Sequence, residues 1–212
     1  MVCILNINDF DDAFFEKVRQ ADEKIFFSDK AGKGKKLSLY GRALLGYMLC
    51  NNYGIESFSY RYERKGKPYL KDENLFFSIS HSGCYVLCCV SDKECGCDIE
   101  KIKEYNPKIP RRFFTEKETA ALESHNEKEC SFTRIWTLKE SVLKKTGDGI
   151  SGGLDSYCFA DYVDKRSFEA FGCCFSCFSL DGYEISVCSS ETEKELTVVP
   201  KERIEEYISG II

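Results

Sequence analysis

Three carboxylates carry the clearest chemistry in the sequence. Asp98 and Glu100 are two residues apart in the segment CGCDIEKI, which we predict to be a strand. Side chains alternate along a strand, so both carboxylates lie on one face and Ile99 points the other way. Two neighbouring carboxylates repel each other unless a cation lies between them. Taken alone, the pair is better explained as the solvated face of an edge strand.

The third carboxylate, Glu140, belongs to a predicted helix. Trp136, Glu140 and Lys144 are spaced by four residues and therefore share one stripe of that helix. On its own, Glu140 would form a surface pair with Lys144, which stabilises a helix by about 0.2–0.5 kcal/mol. Together, carboxylates from a strand and a helix could hold one Mg²⁺, an ion that prefers hard oxygen ligands and shares them with substrate phosphates.

Several basic residues are candidates for phosphate contacts. His81 follows the apolar run LFFSIS in a predicted turn with Ser82 and Gly83, where a phosphate ligand and a backbone-satisfied histidine are equally good interpretations. Lys67 lies in the predicted turn Gly66-Lys67-Pro68, where a simple exposed lysine is the commoner case. A basic run precedes the second helix, and a solvated loop is its commoner explanation; its members are Lys30, Lys33, Lys35 and Lys36.

Composition excludes some classes of protein. The chain has 212 residues, of which 43% are hydrophobic, and a net charge of −5. That is enough apolar material for a core, and an acidic chain is a poor general binder of nucleic acid. The amino terminus does not resemble a signal peptide, and no apolar run is long enough to span a membrane. We therefore expect a cytoplasmic protein with neither a nucleic-acid nor a membrane partner.

The 13 cysteines need a separate interpretation. In a chain that is not exported, we expect them to be reduced and mostly buried. Two groups, at residues 84–97 and 173–177, lack paired C-x-x-C motifs, and both histidines lie outside them. We do not expect a structural zinc site.

Hydrophobic periodicity predicts an α+β protein. Helices are expected at residues 11–28, 37–49 and 131–145, and the last of these should end near Gly147. A further helix should begin at Thr115, because Glu118 three residues later fits a capping box. Strands are expected at residues 2–8 and 58–64 and in the runs LFFSIS, CYVLCCVSD and CGCDIEKI. The segments between residues 157 and 199 are β-rich, with a helical tail around residues 200–208. A boundary near residue 100, with a linker over 103–112, would divide the chain into halves of similar size, 1–100 and 101–212.

These segments occur in an order that resembles the 4′-phosphopantetheinyl transferases of the surfactin-synthetase-activating type. The most specific is WTLKESVLKK, which has an aromatic residue, a small residue, a variable position, Lys-Glu, a small residue and a lysine four after the glutamate. The matching stretches are Gly66-Lys67-Pro68-Tyr69, FSISHSG (77–83), GCDIEKI (96–102), RRFFTEKE (111–118) and WTLKESVLKKTGDGI (136–150). Beyond residue 155 the similarity is general only.

The resemblance implies two similar α+β halves related by a pseudo-twofold, with coenzyme A bound in the cleft between them. It implies transfer of the phosphopantetheine arm of coenzyme A to a serine of an acyl or peptidyl carrier protein, with Mg²⁺, or Mn²⁺ in its place, as the metal and 3′,5′-ADP as the second product. It places the metal ligands at Asp98, Glu100 and Glu140 and the catalytic groups at Glu140 and Lys144.

The resemblance also implies a coenzyme A site. Its residues are Lys67, Pro68, Ser80, His81 and Lys144. One position departs from the family pattern, because Ala43 stands where better-studied members have a threonine. The corresponding contact to the 3′-phosphate is therefore absent or is made by Arg42. An upstream lysine is also expected to contribute, and Lys24, Lys33, Lys35 and Lys36 remain alternatives, with Lys36 our choice.

The implied partner is an acidic carrier protein, and the basic and aromatic start of RRFFTEKE is a plausible place to meet it. The alternative is that Phe113 and Phe114 are core residues flanked by Arg111 and Arg112. A monomer is the simplest expectation, since both halves lie in one chain. Two other interpretations remain: a relative that binds without catalysis, and a cysteine-rich metal-binding or interaction protein. The class of carrier protein is left open.

Overall fold

The computed structural model describes residues 1–25, 34–63, 66–71, 73–149 and 153–212. The fold class is α+β, as predicted. The helices are α1 (Asp12–Ile25), α2 (Lys36–Tyr53), α3 (Pro110–Phe113), α4 (Glu116–Ser124), α5 (Lys128–Thr146) and α6 (Lys201–Ile211). The strands are β1 (Val2–Asn6), β2 (Tyr60–Tyr62), β3 (Pro68–Leu70), β4 (Phe76–Ser82), β5 (Tyr85–Ser91), β6 (Gly96–Lys101), β7 (Ser167–Ala170), β8 (Cys173–Leu180), β9 (Tyr183–Ser189) and β10 (Thr197–Val198).

The chain packs as two compact units. The first contains Met1–Asp92 together with Glu195–Ile212, and the second contains Lys93–Lys194. This division differs from the predicted halves, because the carboxyl-terminal segment belongs with the first unit. Some predicted features fall outside the described residues: residues 26–28 of the first predicted helix, Lys30, Lys33, residue 64 of a predicted strand and Ile150. The predicted pseudo-twofold stays a prediction.

The first unit is built on a sheet of order β10-β1-β5-β4, with β2 and β3 as a separate hairpin. The carboxyl-terminal segment joins this unit for two reasons: β10 pairs in parallel with β1, and Ile204 and Ile208 of α6 are fully buried in its core. Leu44, Leu45 and Met48 of helix α2 are fully buried in the core of this unit. The nearly continuous apolar character of α2 suits a helix buried on most sides.

The second unit is built on an antiparallel sheet of order β6-β9-β8-β7. Helix α5 packs on this sheet through Leu138 and Val142, which meet Phe175 and Cys188. The predicted end of α5 is confirmed: Gly147 has a left-handed backbone with φ +76°, and its amide bonds to the carbonyl of Leu143.

Helix α4 begins as predicted. Thr115 is its N-cap, and the hydroxyl of Thr115 and the carboxylate of Glu118 form the reciprocal capping box. The segment before it differs from the predicted linker, because a short helix, α3, occupies Pro110–Phe113. Proline at the first helical position fits this, since its fixed φ is suited to a helix start.

More than half of the 13 cysteines are buried, and the structure has all of them as thiols. None of the helices in the described part of the chain combines the length and the apolar character needed to cross a bilayer.

Candidate active site

One face of the sheet in the second unit carries two of the three predicted metal ligands, Asp98 and Glu100. In the antiparallel register of β6 and β9, Asp98 stands opposite Ser186 and Glu100 opposite Glu184. Directly opposite residues share a face, and positions two apart along a strand also share it. This face lies against α5, because Lys144 of α5 donates a hydrogen bond from Nζ to Asp98 Oδ1 at 2.6 Å.

Glu140 lies in the same cluster. Burial raises the pKa of its carboxyl above the ordinary value, and the negative charge of Asp98 raises it further. Lys144 opposes these effects, and Glu100 adds to them. The Glu140 Oε1 atom is buried and has no hydrogen-bond partner among the described residues. The structure therefore brings Glu140, Asp98 and Lys144 together, with Glu100 close enough to act on Glu140 by its charge.

The charge of this cluster bears on the predicted metal. In the part of the chain that the structure describes, no three histidine, cysteine, aspartate or glutamate side chains are gathered closely enough to hold a metal ion as they stand. Lys144 instead provides the positive charge at Asp98. The donor set nevertheless fits Mg²⁺, because it consists of carboxylate oxygens and because the partnerless Oε1 of Glu140 lies in a field of two further carboxylates. The ligand roles of the three residues stay predictions.

Burial and pairing also tune Lys144. Burial alone lowers the pKa of a lysine, but the carboxylate of Asp98 and its hydrogen bond outweigh that effect and raise the pKa of Lys144 above its ordinary value. Lys144 is therefore charged across the physiological pH range, and it delivers a positive charge beside Glu140.

Polar contacts fix α5 on the sheet on the amino-terminal side of this cluster. The guanidinium of Arg134 pairs with Glu184, which also accepts a hydrogen bond from Ser179. One turn further along the helix, the hydroxyls of Thr137 and Ser186 lie 2.8 Å apart. These contacts restrict how α5 can rotate or slide, so Glu140 and Lys144 keep one face towards β6.

A fully buried ion pair holds the opposite side of α5, and sequence reasoning missed it. Lys139 and Glu118 are both fully buried, and Lys139 Nζ lies 2.9 Å from Glu118 Oε2. Lys139 also donates to the carbonyls of Leu154 and Tyr157, while Glu118 Oε1 accepts from the amide of Phe159. Burial lowers the pKa of Lys139 more than Glu118 raises it. The sequence signal was the capping box, which identified Glu118 but not its partner.

In the first unit, His81 is placed differently from the prediction. Strand β4 continues through Ser82, so His81 lies in the strand opposite Val86, and the turn begins at Gly83, whose φ is +57°. The side chain of His81 is exposed, whereas Ser80 is only 7% exposed. Adjacent residues of a strand point to opposite faces, so the side chains of Ser80 and His81 are not on one face of the sheet.

The predicted Gly-Lys-Pro turn lies at the start of β3. Gly66 has φ +94°, a conformation that favours glycine, and Pro68 pairs with Tyr62 across the hairpin. The carbonyl of Lys67 accepts a hydrogen bond from the amide of Glu63 at 2.8 Å. Lys67 and Pro68 are both half-buried. The backbone of this turn is therefore held by the hairpin, as a rigid contact to a ligand would require.

Arg42, predicted as one of two alternatives for the 3′-phosphate contact, lies in a buried ion pair. It is 6% exposed, and its guanidinium makes two hydrogen bonds to the Asp22 carboxylate, at 2.6 and 2.8 Å. The reason is that Arg42 lies on the buried side of α2, facing α1, so its charge is neutralised inside the unit. Tyr60 also acts on this guanidinium through a hydrogen bond.

The lysines offered as alternatives are distributed over the first unit. Lys36 opens α2 and pairs with Asp12 at 3.1 Å, with its ammonium over the ring of Phe15. Lys24 donates to the carbonyls of Ile211 and Ile212. Lys35 is the N-cap residue of α2. Lys33 lies outside the described residues, so the choice among these lysines stays a prediction.

The segment predicted to meet a carrier protein is partly core. Phe114 is 8% exposed and stacks on Phe132, which favours the core alternative, whereas half-buried Phe113 packs edge-on against Trp136. Arg111 and Arg112 are exposed. An open pocket of about 390 Å³ lies between α3 and α4, and its lining residues are Arg111, Phe114, Glu116, Thr119, Ala120 and Glu123.

A family model and three curated relatives that match this chain are all described as 4′-phosphopantetheinyl transferases. Residues 94–192 match the model of the 4′-phosphopantetheinyl transferase superfamily. The 4′-phosphopantetheinyl transferase Sfp of Bacillus subtilis (strain 168) is 30% identical over 180 residues, 79% of this chain and 80% of that protein. The psf-1 transferase of Bacillus pumilus is 33% identical over 187 residues, 82% of this chain and 78% of that protein. The gsp transferase of Aneurinibacillus migulanus is 36% identical over 137 residues, 60% of this chain and 56% of that protein.

Proposed function

This chain belongs to the 4′-phosphopantetheinyl transferase superfamily and is an enzyme of that class, and we propose that it uses Mg²⁺ to transfer the 4′-phosphopantetheine arm of coenzyme A to a serine hydroxyl of an apo acyl or peptidyl carrier protein. The second product is 3′,5′-ADP. The observation that carries this proposal is the buried environment of Glu140, whose carboxylate lies beside Asp98 and Lys144 at the centre of the region that matches the family model.

The environment of Glu140 supports two roles. Asp98, Glu100 and Glu140 would hold Mg²⁺, which when bound supplies positive charge to the pyrophosphate of coenzyme A. Glu140 accepts the proton of the serine hydroxyl as the oxygen attacks the β-phosphate. A raised pKa makes the Glu140 carboxylate a stronger base than that of an exposed glutamate, as acceptance of the serine proton requires.

Lys144 provides the complementary charge. Its ammonium group is held by Asp98 and stays protonated, so a positive charge is already in place before substrate binds. As the bond between the β-phosphate and the leaving group breaks, negative charge builds on 3′,5′-ADP, and Lys144 neutralises part of it. A preorganised charge of this kind acts without reorganisation during the reaction.

In the first unit, we propose that exposed His81 contacts the 3′-phosphate of coenzyme A and that the turn at Lys67 and Pro68 lies against its adenine end. We propose Lys36 as the lysine that binds the same phosphate. Its ammonium is partly exposed, and its partner Asp12 is an exposed carboxylate that a phosphate can displace. We do not include Arg42 in this role, because its guanidinium is buried in a pair with Asp22.

The partner is proposed to be an acidic carrier protein. The segment from Lys101, the last residue of β6, to Arg112 supports this, because its cationic side chains are exposed in a chain whose net charge is −5. These residues are Lys101, Lys103, Lys108, Arg111 and Arg112. Opposite charge on a carrier would steer its approach to the unit that holds Glu140. We also propose that the enzyme acts as a cytoplasmic monomer.

The proposal is tested by following both products. Purified protein is incubated with coenzyme A, Mg²⁺ and an apo carrier protein, and 3′,5′-ADP is quantified by chromatography. We expect one 3′,5′-ADP for each holo carrier, no release without carrier and none after addition of EDTA. Release that persists in EDTA would contradict the metal role, and no release with carriers of fatty-acid, polyketide and peptide type would contradict the proposed reaction.

A further inference from the structure

Helix α5 approaches the sheet of the second unit closely at Gly96, the first residue of β6. A Cβ atom added at Gly96 would lie 2.1 Å from the carbonyl oxygen of Ser141 and 2.4 Å from the amide nitrogen of Lys145. Both are backbone atoms of α5, which cannot move aside as a flexible side chain can. Only a residue without a side chain therefore permits this spacing.

The position of Gly96 relates this contact to the active site. Gly96, Asp98 and Glu100 are spaced by two along β6, so they share the face that lies against α5. On the helix, Ser141 directly follows Glu140, and Lys145 directly follows Lys144. The backbone contact at Gly96 thus involves the same helical turn that carries Glu140 and Lys144.

The distances at the site depend on this contact. Lys144 Nζ lies 2.6 Å from Asp98 Oδ1, and Glu140 is close enough to Asp98 for that carboxylate to act on its charge. A side chain at position 96 would have to lift this turn of α5 away from β6 by roughly an ångström to reach ordinary van der Waals contact. Such a shift would open the cluster without removing any of its residues.

Other contacts of α5 would limit the shift to one end of the helix. The pairs Arg134–Glu184 and Thr137–Ser186 hold the preceding turns, and Lys139 is anchored to Glu118 on the other side. A displaced helix would therefore tilt about these contacts, with movement that grows from Glu140 towards Lys144. The fold of the unit can persist while the site changes.

We propose that Gly96 is a positioning residue, which sets the spacing between α5 and β6. At this spacing Asp98, Glu100 and Glu140 can hold a divalent cation, and Lys144 can act on the substrate. This proposal rests on the proposed function. The acidic residues of the motif GCDIEKI would act through their side chains on a ligand. Gly96 has no side chain and acts only by allowing α5 to approach β6.

The test compares Gly96→Ala with the unchanged protein in a readout that needs no turnover. Binding of Mn²⁺ is measured by electron paramagnetic resonance of the free ion, in the presence of coenzyme A and without carrier protein. We expect Gly96→Ala to raise the Mn²⁺ concentration at half-saturation by about tenfold or more and to lower kcat by about a hundredfold, the loss typical of a misplacement near 1 Å. The KM for coenzyme A should change much less.

Two further variants separate spacing from stability. Gly46→Ala is the matched control for steric overlap, because its added Cβ would lie 2.4 Å from the Tyr207 hydroxyl. Gly46 belongs to the first unit, whereas Asp98, Glu100 and Glu140 belong to the second. Ile135→Val shortens a fully buried residue of α5 itself without adding bulk against β6. We expect both to lower the melting temperature while the Mn²⁺ half-saturation stays within about twofold of the unchanged protein, because neither alters the α5–β6 spacing.

Val142→Leu keeps the inference testable if Gly96→Ala does not fold. Val142 is 1% exposed on the sheet-facing side of α5, two residues after Glu140, so a larger side chain there lifts the same turn. A raised Mn²⁺ half-saturation in folded Gly96→Ala or Val142→Leu supports the inference. Unchanged half-saturation and kcat in a folded variant overturn it. If the unchanged protein neither binds Mn²⁺ nor transfers the arm, the proposed function itself fails, which is a different result.

Discussion

The ammonium nitrogen of Lys144 lies 2.6 Å from Asp98 Oδ1, and the same two residues act in opposite directions on the charge of Glu140. Lys144 therefore interacts with two carboxylates of the site: it donates a hydrogen bond to Asp98, and its positive charge acts on Glu140. The side chain of Lys144 is 31% exposed and that of Asp98 is 5% exposed. The buried carboxylate is thus neutralised by a lysine that can still reach a substrate.

Replacing Lys144 should reduce turnover more than binding. In Lys144→Met the positive charge that offsets the leaving 3′,5′-ADP is lost, and we expect kcat to fall by about 10²-fold, the usual effect of removing one preorganised charge or donor. The KM for coenzyme A should rise by a smaller factor. Steady-state kinetics with Lys145→Met as the control checks this, since Lys145 is adjacent but pairs with Glu94 instead. Equal losses in the two variants would contradict a specific role for Lys144.

Glu140→Gln should stabilise the metal-free protein at neutral pH. The folded state raises the pKa of Glu140 above its unfolded value of about 4.3, so the folded protein binds the proton more tightly and ionisation of this residue costs stability. This cost is absent below the unfolded pKa and grows as pH rises through the raised folded pKa. Thermal melts in EDTA should therefore show a gain for Glu140→Gln at pH 7 that disappears near pH 4. A gain that is independent of pH would point to another cause.

The buried pair of Lys139 and Glu118 should show strong non-additivity. Lys139→Met alone leaves a fully buried carboxylate without its cation, and we expect the free energy of unfolding to fall by about 3–5 kcal/mol. The double variant Lys139→Met/Glu118→Leu removes both charges and should recover most of that loss. Urea denaturation of the single and double variants measures the coupling. Additive losses would mean that the two charges do not depend on each other.

Discrimination between coenzyme A and 3′-dephospho-coenzyme A should depend on His81 and not on Arg42. His81→Ala removes an exposed group proposed to bind the 3′-phosphate, so we expect about a tenfold to hundredfold rise in KM for coenzyme A and little change for the dephospho form. The double variant Arg42→Met/Asp22→Leu removes a buried ion pair as a unit and should leave the ratio of the two KM values unchanged. A lost preference in the double variant would restore Arg42 as a phosphate ligand.

Local signals in the sequence predicted the elements of the second unit well. The sequence predicted the capping box of Thr115 and Glu118 and the end of α5 at Gly147. Each of these features depends only on residues within one helical turn. Alternation along β6 likewise predicted a shared face for Asp98 and Glu100. The α+β class followed from the same periodicities.

Features that depend on distant partners were not predictable in this way. The parallel pairing of β1 with β10 joins residues at opposite ends of the chain, so the boundary near residue 100 assigned the tail to the other half. The charge of Arg42 suggested a ligand, but its partner Asp22 is on another helix. The contact of Gly96 with α5 leaves no trace in composition, because a missing side chain has no chemistry of its own.

The most direct test of the account is the intact mass of an apo carrier protein after incubation with this enzyme, coenzyme A and Mg²⁺. The unchanged enzyme and Glu129→Gln, which alters an exposed glutamate in the first turn of α5, should add the mass of one phosphopantetheine arm. Glu140→Gln should slow that gain by about 10²–10⁴-fold, the range for loss of a general base. A carrier modified at the same rate by Glu140→Gln and by the unchanged enzyme would contradict the central role of Glu140.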